Sequence, residues 1–140
     1  MGGAFVTVEG YKIYYTKEGE KGEPILLVHG LPTSSYLWRH VQKKLAENYQ
    51  VYAIDMLGYG KSDKPEEASY TWNAQAERLK GFLDAVGLNK VTLVGHDHGG
   101  AVTLIFGCKY TERLNLYIFA NGCSYDYCLP EEVRAIGTLA

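Results

Sequence analysis

The chain is poor in the features that mark several special classes of protein. Its three cysteines, Cys108, Cys123 and Cys128, are an odd number without metal-ligand spacing. That excludes a disulfide framework as the organising principle and predicts free thiols in a reducing compartment, the cytoplasm. Neither sign of charge is in excess: 14 basic and 16 acidic residues are interspersed and leave a net charge of −2. Such a balance gives no field for nucleic acid or an anionic lipid surface, and neither is expected as a partner. No stretch approaches the roughly 20 apolar residues of a membrane span, and the N-terminus lacks the basic and apolar regions of a leader. Met1-Gly2 begins like a myristoylation signal, but Val6 stands where Ser or Thr is needed. Linkers, internal repeats and low-complexity segments are missing too, so residues 1–140 read as one domain.

What is present is a soluble globular composition, 46% apolar, patterned as strands alternating with helices. Val6 and Val8 alternate with polar neighbours, Gly10 breaks the run, and residues 11–16 resume it, which predicts an N-terminal hairpin. Residues 25–28 (ILLV) and 51–54 (VYAI) are unalternated apolar runs, the mark of strands covered on both faces. Between them Thr33, Ser34 and Ser35 offer N-caps for a helix running to about Asn48, with Leu37, Val41 and Leu45 as its stripe. Thr71 caps a second helix with Trp72, Ala76, Leu79, Phe82, Leu83 and Val86 on its apolar face, ended by Gly87. A short strand over 116–120 follows later, and Pro130 opens a last helix. The prediction is an α/β layered fold: an N-terminal β-hairpin, then a mostly parallel sheet with flanking helices.

The chain is organised around VTLVGHDHGGAVTLIFG, residues 91–107. An apolar β-branched run turns within about four residues into a helix whose stripe is Ala101, Val102, Leu104, Ile105 and Cys108. The turn, Gly95-His96-Asp97-His98-Gly99, has the glycine frame of the nucleophile elbow G-x-S-x-G with Asp97 in the serine position. A residue there projects above the sheet and faces the positive end of the helix, which favours a carboxylate. Asp97 is therefore either a nucleophile or a plain helix cap. Residues 55–63 form a glycine-rich loop in which Gly60-Lys61-Ser62 matches the end of a phosphate-binding loop. Asp55 holds the first glycine's position, so the preferred reading is a tight loop with local hydrogen bonds from Asp55 and Ser62.

Taken together, HGLPTSSYLWRHV (29–41), DMLGYGKSDKP (55–65) and VGHDHGG (94–100) resemble the haloalkane dehalogenase and soluble epoxide hydrolase branch of the α/β-hydrolase superfamily. The resemblance implies that Asp97 attacks a saturated carbon, displaces halide or opens an epoxide, and forms an alkyl-enzyme ester that water then cleaves. It assigns the backbone N–H groups of His98 and Leu31 as oxyanion donors, and it places His29, Gly30 and Pro32 at the pocket. His98 and Leu31 stand where many dehalogenases carry Trp and some carry Asn as halide ligands. The substrate implied is small and apolar.

The family's order of nucleophile, acid and His places the acid and the base after residue 140, so the chain reads as a truncated, half-size core. Asn121 stands at one acid position but is an amide. His96 is the remaining base candidate within the chain; His29 and His40 read as structural and solvated. Tyr125 and Tyr127 fall near where a cap would begin, with no role assigned. No metal or cofactor is expected, because consecutive His-Asp-His positions rarely converge on one ion. An apolar last strand at the sheet edge predicts a homodimer, one that brings a partner-chain His to Asp97 in trans. The alternatives are a non-catalytic small-ligand-binding dimer and an inactive fragment of a full-length hydrolase.

Overall fold

In a computed structural model, residues 2–123 are described; they form one six-stranded sheet with helices on both faces. Strand β1 (Gly3–Val8) and strand β2 (Tyr11–Glu18) are the expected hairpin, turned at Glu9 and Gly10, both at positive φ. Strands β3 (Pro24–Val28), β4 (Gln50–Ile54), β5 (Val91–Asp97) and β6 (Leu114–Gly122) follow. The order across the sheet is β1-β2-β4-β3-β5-β6. β2 joins β4 antiparallel, and the pairs β4-β3, β3-β5 and β5-β6 are parallel. The α/β fold with a mostly parallel sheet is thus the one observed.

Both faces are covered, and the period of two sorts the apolar runs between them. Leu26, Val28 and Ile54 join one core with Leu79, Phe82 and Phe106; Ile25, Leu27, Val51 and Ala53 join the other with Trp38 and Val94. The first core belongs to α2 (Trp72–Ala85) and α3 (His98–Lys109), and the second to the segment leading into α1 (Arg39–Leu45). Thr71 caps α2 as expected, its Oγ1 accepting from the Ala74 N–H at 3.3 Å, and Gly87 leaves the helix at φ +73°.

Several details depart from the sequence expectation. The first helix is a 3₁₀ turn (Ser35–Trp38), capped by Ser34, that continues as α1 and ends at Leu45 rather than Asn48. A 3₁₀ turn has 3.0 residues per turn, so its entry shifts the phase of the stripe: Val41 is 46% exposed and Gln42 is buried instead. Gln42 is satisfied there, donating from Nε2 to the carbonyls of Val51 (2.9 Å) and Thr16 (3.2 Å) and accepting from the Thr16 hydroxyl (2.9 Å). On α3, Cys108 is exposed rather than part of a buried stripe. Cys123 is disulfide-bonded, which corrects the expectation of free thiols, whereas Cys108 is free.

Strand β6 is longer than expected and, among the described residues, paired on one side only. Leu116, Ile118 and Phe119 on it are exposed. Among the described residues no helix is long and apolar enough to cross a membrane. The expected helix from Pro130, with Tyr125, Tyr127 and Cys128, lies outside the described residues.

Candidate active site

The elbow is made by close packing that tolerates no side chain at four positions. A Cβ on Gly95 would overlap Thr103 Oγ1 and lie 2.7 Å from the Gly99 carbonyl oxygen; on Gly99 it would lie 2.6 Å from the Val28 carbonyl oxygen. On Gly100 it would meet Gly122 Cα at 2.6 Å, and on Gly30 it would run into the side chain of Asp97. β3, β5, β6 and the start of α3 therefore meet at backbone contact. The residue at the vertex is Asp97, at φ 53°, ψ −125°. Left-handed backbone at a non-glycine residue costs about 1–3 kcal/mol and persists only where surrounding structure imposes it.

The Asp97 carboxylate makes no capping bond to α3, although it occupies the N-cap position. Instead Oδ1 accepts from the Leu31 N–H at 2.8 Å. Of the two sequence readings, the plain cap has no hydrogen bond to support it. Asp97 is held from the other side as well, its carbonyl accepting from the Cys123 N–H at 2.9 Å.

The turn that presents Leu31 is itself fixed by His29. Its ring is buried, with Nδ1 2.9 Å from the Gly30 carbonyl and Nε2 3.1 Å from the Met56 N–H. Those two partners define one tautomer: Nδ1–H donates and Nε2 accepts. Burial lowers the His29 pKa, in keeping with a neutral ring. His29 is thus a brace beneath the site, while Gly30 backs Asp97 and Pro32 is exposed beyond it.

The loop at 55–63 is a tight, hydrogen-bonded loop, as expected from Asp55 and Ser62. Asp55 Oδ1 accepts from Ser35 N–H (2.6 Å) and Oδ2 from Lys61 N–H (2.8 Å). The Ser62 hydroxyl donates to the Asp55 carbonyl (2.6 Å) and accepts from Tyr14 N–H (2.8 Å). A buried carboxylate so committed cannot also leave room for a phosphate. This clamp sets Met56 against His29 and brings Tyr59 beside the elbow. Burial raises the Tyr59 pKa first, and the Asp97 charge raises it further.

The two histidines that flank Asp97 diverge. His96 packs edge-on to Trp38, ring centroids 6.2 Å apart, on the side of the second core. His98 packs edge-on to Trp72 at 5.6 Å on the other side. It lines a pocket of about 150 Å³ with Met56, Tyr59, Tyr70, Trp72, Gln75 and Val102. Beside it runs an open, mostly apolar groove of about 440 Å³, bounded by Trp72, Ala101, Leu104, Ile105, Cys108, Lys109 and Cys123.

Cys123 is the neighbour that sequence reasoning missed. A carboxylate oxygen of Asp97, a ring nitrogen of His98 and the Cys123 sulfur all lie within 4.8 Å of one another. Cys123 Sγ is 3.7 Å from Asp97 Oδ2; a disulfide sulfur has no proton to donate and is no thiolate ligand, so this is a packing contact. The only signal for it is the parallel pairing of β5 with β6, which sets Gly122 opposite Asp97 across 25 residues of sequence.

A left-handed aspartate on a strand-to-helix elbow, with an amide from the turn after a parallel neighbour strand at its carboxylate, is the site of one class of α/β fold. Residues 23–139 match the model of the alpha/beta hydrolase fold family, and the chain belongs to that family. Within it the chain is 37% identical over 114 residues to mouse "Epoxide hydrolase 4", covering 80% of this chain and 32% of that protein. It is 39% identical over 105 residues to a "Haloalkane dehalogenase" of Agrobacterium fabrum, covering 75% of this chain and 34% of the relative. Among solved structures, an epoxide hydrolase from Bacillus megaterium superposes with a TM-score of 0.81 at 31% identity, over 85% of this chain and 42% of that one. The chain thus spans about a third of the length of these curated relatives.

Proposed function

We propose that this chain carries the nucleophile and oxyanion donors of a hydrolase acting on small apolar epoxides or haloalkanes, with esters as further substrates. The observation that carries the reading is the Asp97 carboxylate: held at a left-handed vertex, free of its own helix, with Oδ1 on the Leu31 N–H. Oδ2 is then the attacking atom. The bond from Oδ2 to carbon forms as the carbon–halogen or epoxide carbon–oxygen bond breaks; the electron pair leaves with the halide, or stays on the epoxide oxygen and takes a proton from water. The Leu31 N–H already meets the oxygen that becomes the ester carbonyl. The His98 N–H, in the first position of α3 and without an intrahelical acceptor, is its partner donor when water adds to that carbonyl. The apolar groove beside Cys123 suits an uncharged substrate.

The homodimer belongs to this proposal, with β6 as the contact: among the described residues its nine residues are paired on one side only and carry exposed Leu116, Ile118 and Phe119. Sedimentation at micromolar concentration checks it, and a stable monomer would count against it. The cytoplasmic placement is likewise a proposal, checked by fractionation.

The chemical test is covalent. The protein is incubated separately with 1,2-epoxyhexane, 1-bromobutane and p-nitrophenyl acetate, quenched in acid and weighed intact. A mass increase equal to the attached alkyl or acyl group, lost in Asp97→Asn, is expected for at least one probe. Turnover retained in Asp97→Asn would sink the reading.

A further inference from the structure

We propose that the cleft between β2, the 3₁₀ turn and the 55–63 loop is a binding site for a small zwitterion, an α-amino acid with a short side chain. The cleft has a volume of about 240 Å³ and lies between Tyr14 and Thr16 of the strand, Ser35 and Tyr36 of the turn, and Asp55 and Lys61 of the loop. Drug-sized ligands occupy sites of roughly 300–1,000 Å³, so this one suits a smaller molecule. It shares no lining residue with the pocket at His98 or the groove at Cys123, and β3 stands between β4 and the elbow strand β5. Its occupation is independent of the chemistry at Asp97.

The floor of the cleft is a carboxylate without a cation. Asp55 is 2% exposed, and its two oxygens each accept one backbone N–H, from Ser35 and from Lys61. An ionised carboxylate offers about four acceptor positions, so roughly two are left. Among the described residues no Lys, Arg or His side chain forms an ion pair with it. A buried charge is costly until it is paired, which favours a ligand that brings the cation. The second group is the Ser35 hydroxyl. Ser35 is 7% exposed, and among the described residues its side chain makes no hydrogen bond, an exception to the rule that buried polar groups are satisfied. The neighbouring Thr16 hydroxyl is by contrast already committed to Gln42 Oε1.

The sides of the cleft carry the opposite sign. Lys61 Nζ lies 4.8 Å from the centroid of the Tyr14 ring, and Arg39 Cζ lies 4.4 Å from that of the Tyr36 ring. Neither cation is in an ion pair among the described residues. The charge of Asp55 turns an anion such as phosphate away, and Lys61 and Arg39 turn a simple amine away. A zwitterion meets both: its ammonium donates to the open positions of Asp55 and to the Ser35 hydroxyl, and its carboxylate faces Lys61 and Arg39. The rings of Tyr14 and Tyr36 are left to flank a short side chain.

The test uses three molecules of nearly one size: L-alanine, L-lactate, in which a hydroxyl replaces the ammonium, and isopropylamine, in which a methyl replaces the carboxylate. Each is titrated at neutral pH into the ¹⁵N-labelled full chain, and the backbone amide shifts are followed. L-Alanine is expected to move the Ser35 and Lys61 amides saturably, with a Kd on the order of 1 mM. Each single-charge analogue should bind at least about tenfold more weakly. Ser35→Ala and Lys61→Gln keep the backbone amides that hold Asp55, and each should weaken L-alanine by about fivefold or more in a chain whose spectrum shows it folded. Asp97→Asn should bind L-alanine as the wild type does. A folded wild-type chain with no saturable shift well above that Kd overturns the site. Isopropylamine as tight as L-alanine would make it a cation site, and L-lactate as tight would make it an anion site; either overturns the zwitterion. Unchanged affinity in both cleft variants, or lost affinity in a folded Asp97→Asn, would place the molecule elsewhere and overturn the proposal as well.

Discussion

Gly30→Ala is the perturbation that isolates the bond between the turn and the elbow. Its new Cβ would lie 2.7 Å from Cγ of Asp97 and overlap Cβ and Oδ1, whereas ordinary contact begins at 3.4 Å. Asp97 sits at a backbone vertex that is itself fixed, and Gly30 follows the fully buried Val28 and His29, so neither side can give the missing distance, about 1 Å at the nearest atom, without breaking something. The weakest link is the 2.8 Å bond from Leu31 N–H to Oδ1. Overpacking of this kind costs about 1–3 kcal/mol of stability, which for a domain of this size is several degrees in Tm. The effect on chemistry is larger, because displacing a nucleophile by about 1 Å costs on the order of 100-fold in rate. Urea titration and the rate of Asp97 adduct formation are the two assays. A variant that loses stability as stated yet forms adduct at the wild-type rate would refute the claim that this amide positions the carboxylate.

Other perturbations probe the supports of the site. Gln42→Ala removes three buried hydrogen bonds and the buried side chain that makes them, so a loss of about 2–4 kcal/mol in urea unfolding is expected. Asp55→Ala frees the Ser35 and Lys61 amides at once and should cost a similar amount, roughly 2–4 kcal/mol, with the 55–63 loop becoming the first site of limited proteolysis. The pH dependence has a definite sign: His29 and His98 both titrate below their ordinary value of 6.5 in the folded chain, chiefly through burial. The unfolded chain therefore binds more protons between the folded values and 6.5, so this contribution is complete above pH 6.5, falls as pH drops from 6.5 toward the folded values, and levels off below them. The slope is at most about 1.4 kcal/mol per pH unit for each group, and unfolding at three pH values between 7.5 and 5.5, chosen as roughly spanning the window, should show it; a flat profile would contradict it.

Much of the fold was legible because the sequence states it twice, once as period and once as punctuation. Residues 25–28 and 51–54 could only be covered strands, and Thr71 and Gly87 bracket α2 with the chemistry of its ends. The elbow was legible for the same reason: Gly95, Gly99 and Gly100 each sit where a Cβ has no space. Val41 was placed on the wrong side because a 3₁₀ entry carries a different angular step, and nothing in a list of apolar residues reveals it. That a buried stripe on α3 gives way to an open groove at Leu104, Ile105 and Cys108 depends on which neighbours the helix meets, not on the helix's own sequence. Cys123 next to Asp97 is a product of strand register alone.

The central claim is that Asp97 itself is alkylated and then hydrolysed at its own carboxyl carbon. Its most direct test is a single turnover in ¹⁸O-labelled water with protein in excess over the epoxide, followed by mass mapping of the peptide that contains residue 97. The account predicts one heavy oxygen in the Asp97 side chain and an unlabelled oxygen transferred to the product. Heavy oxygen in the product with Asp97 unlabelled would mean that water attacks the substrate directly, and the nucleophile would have to be given up.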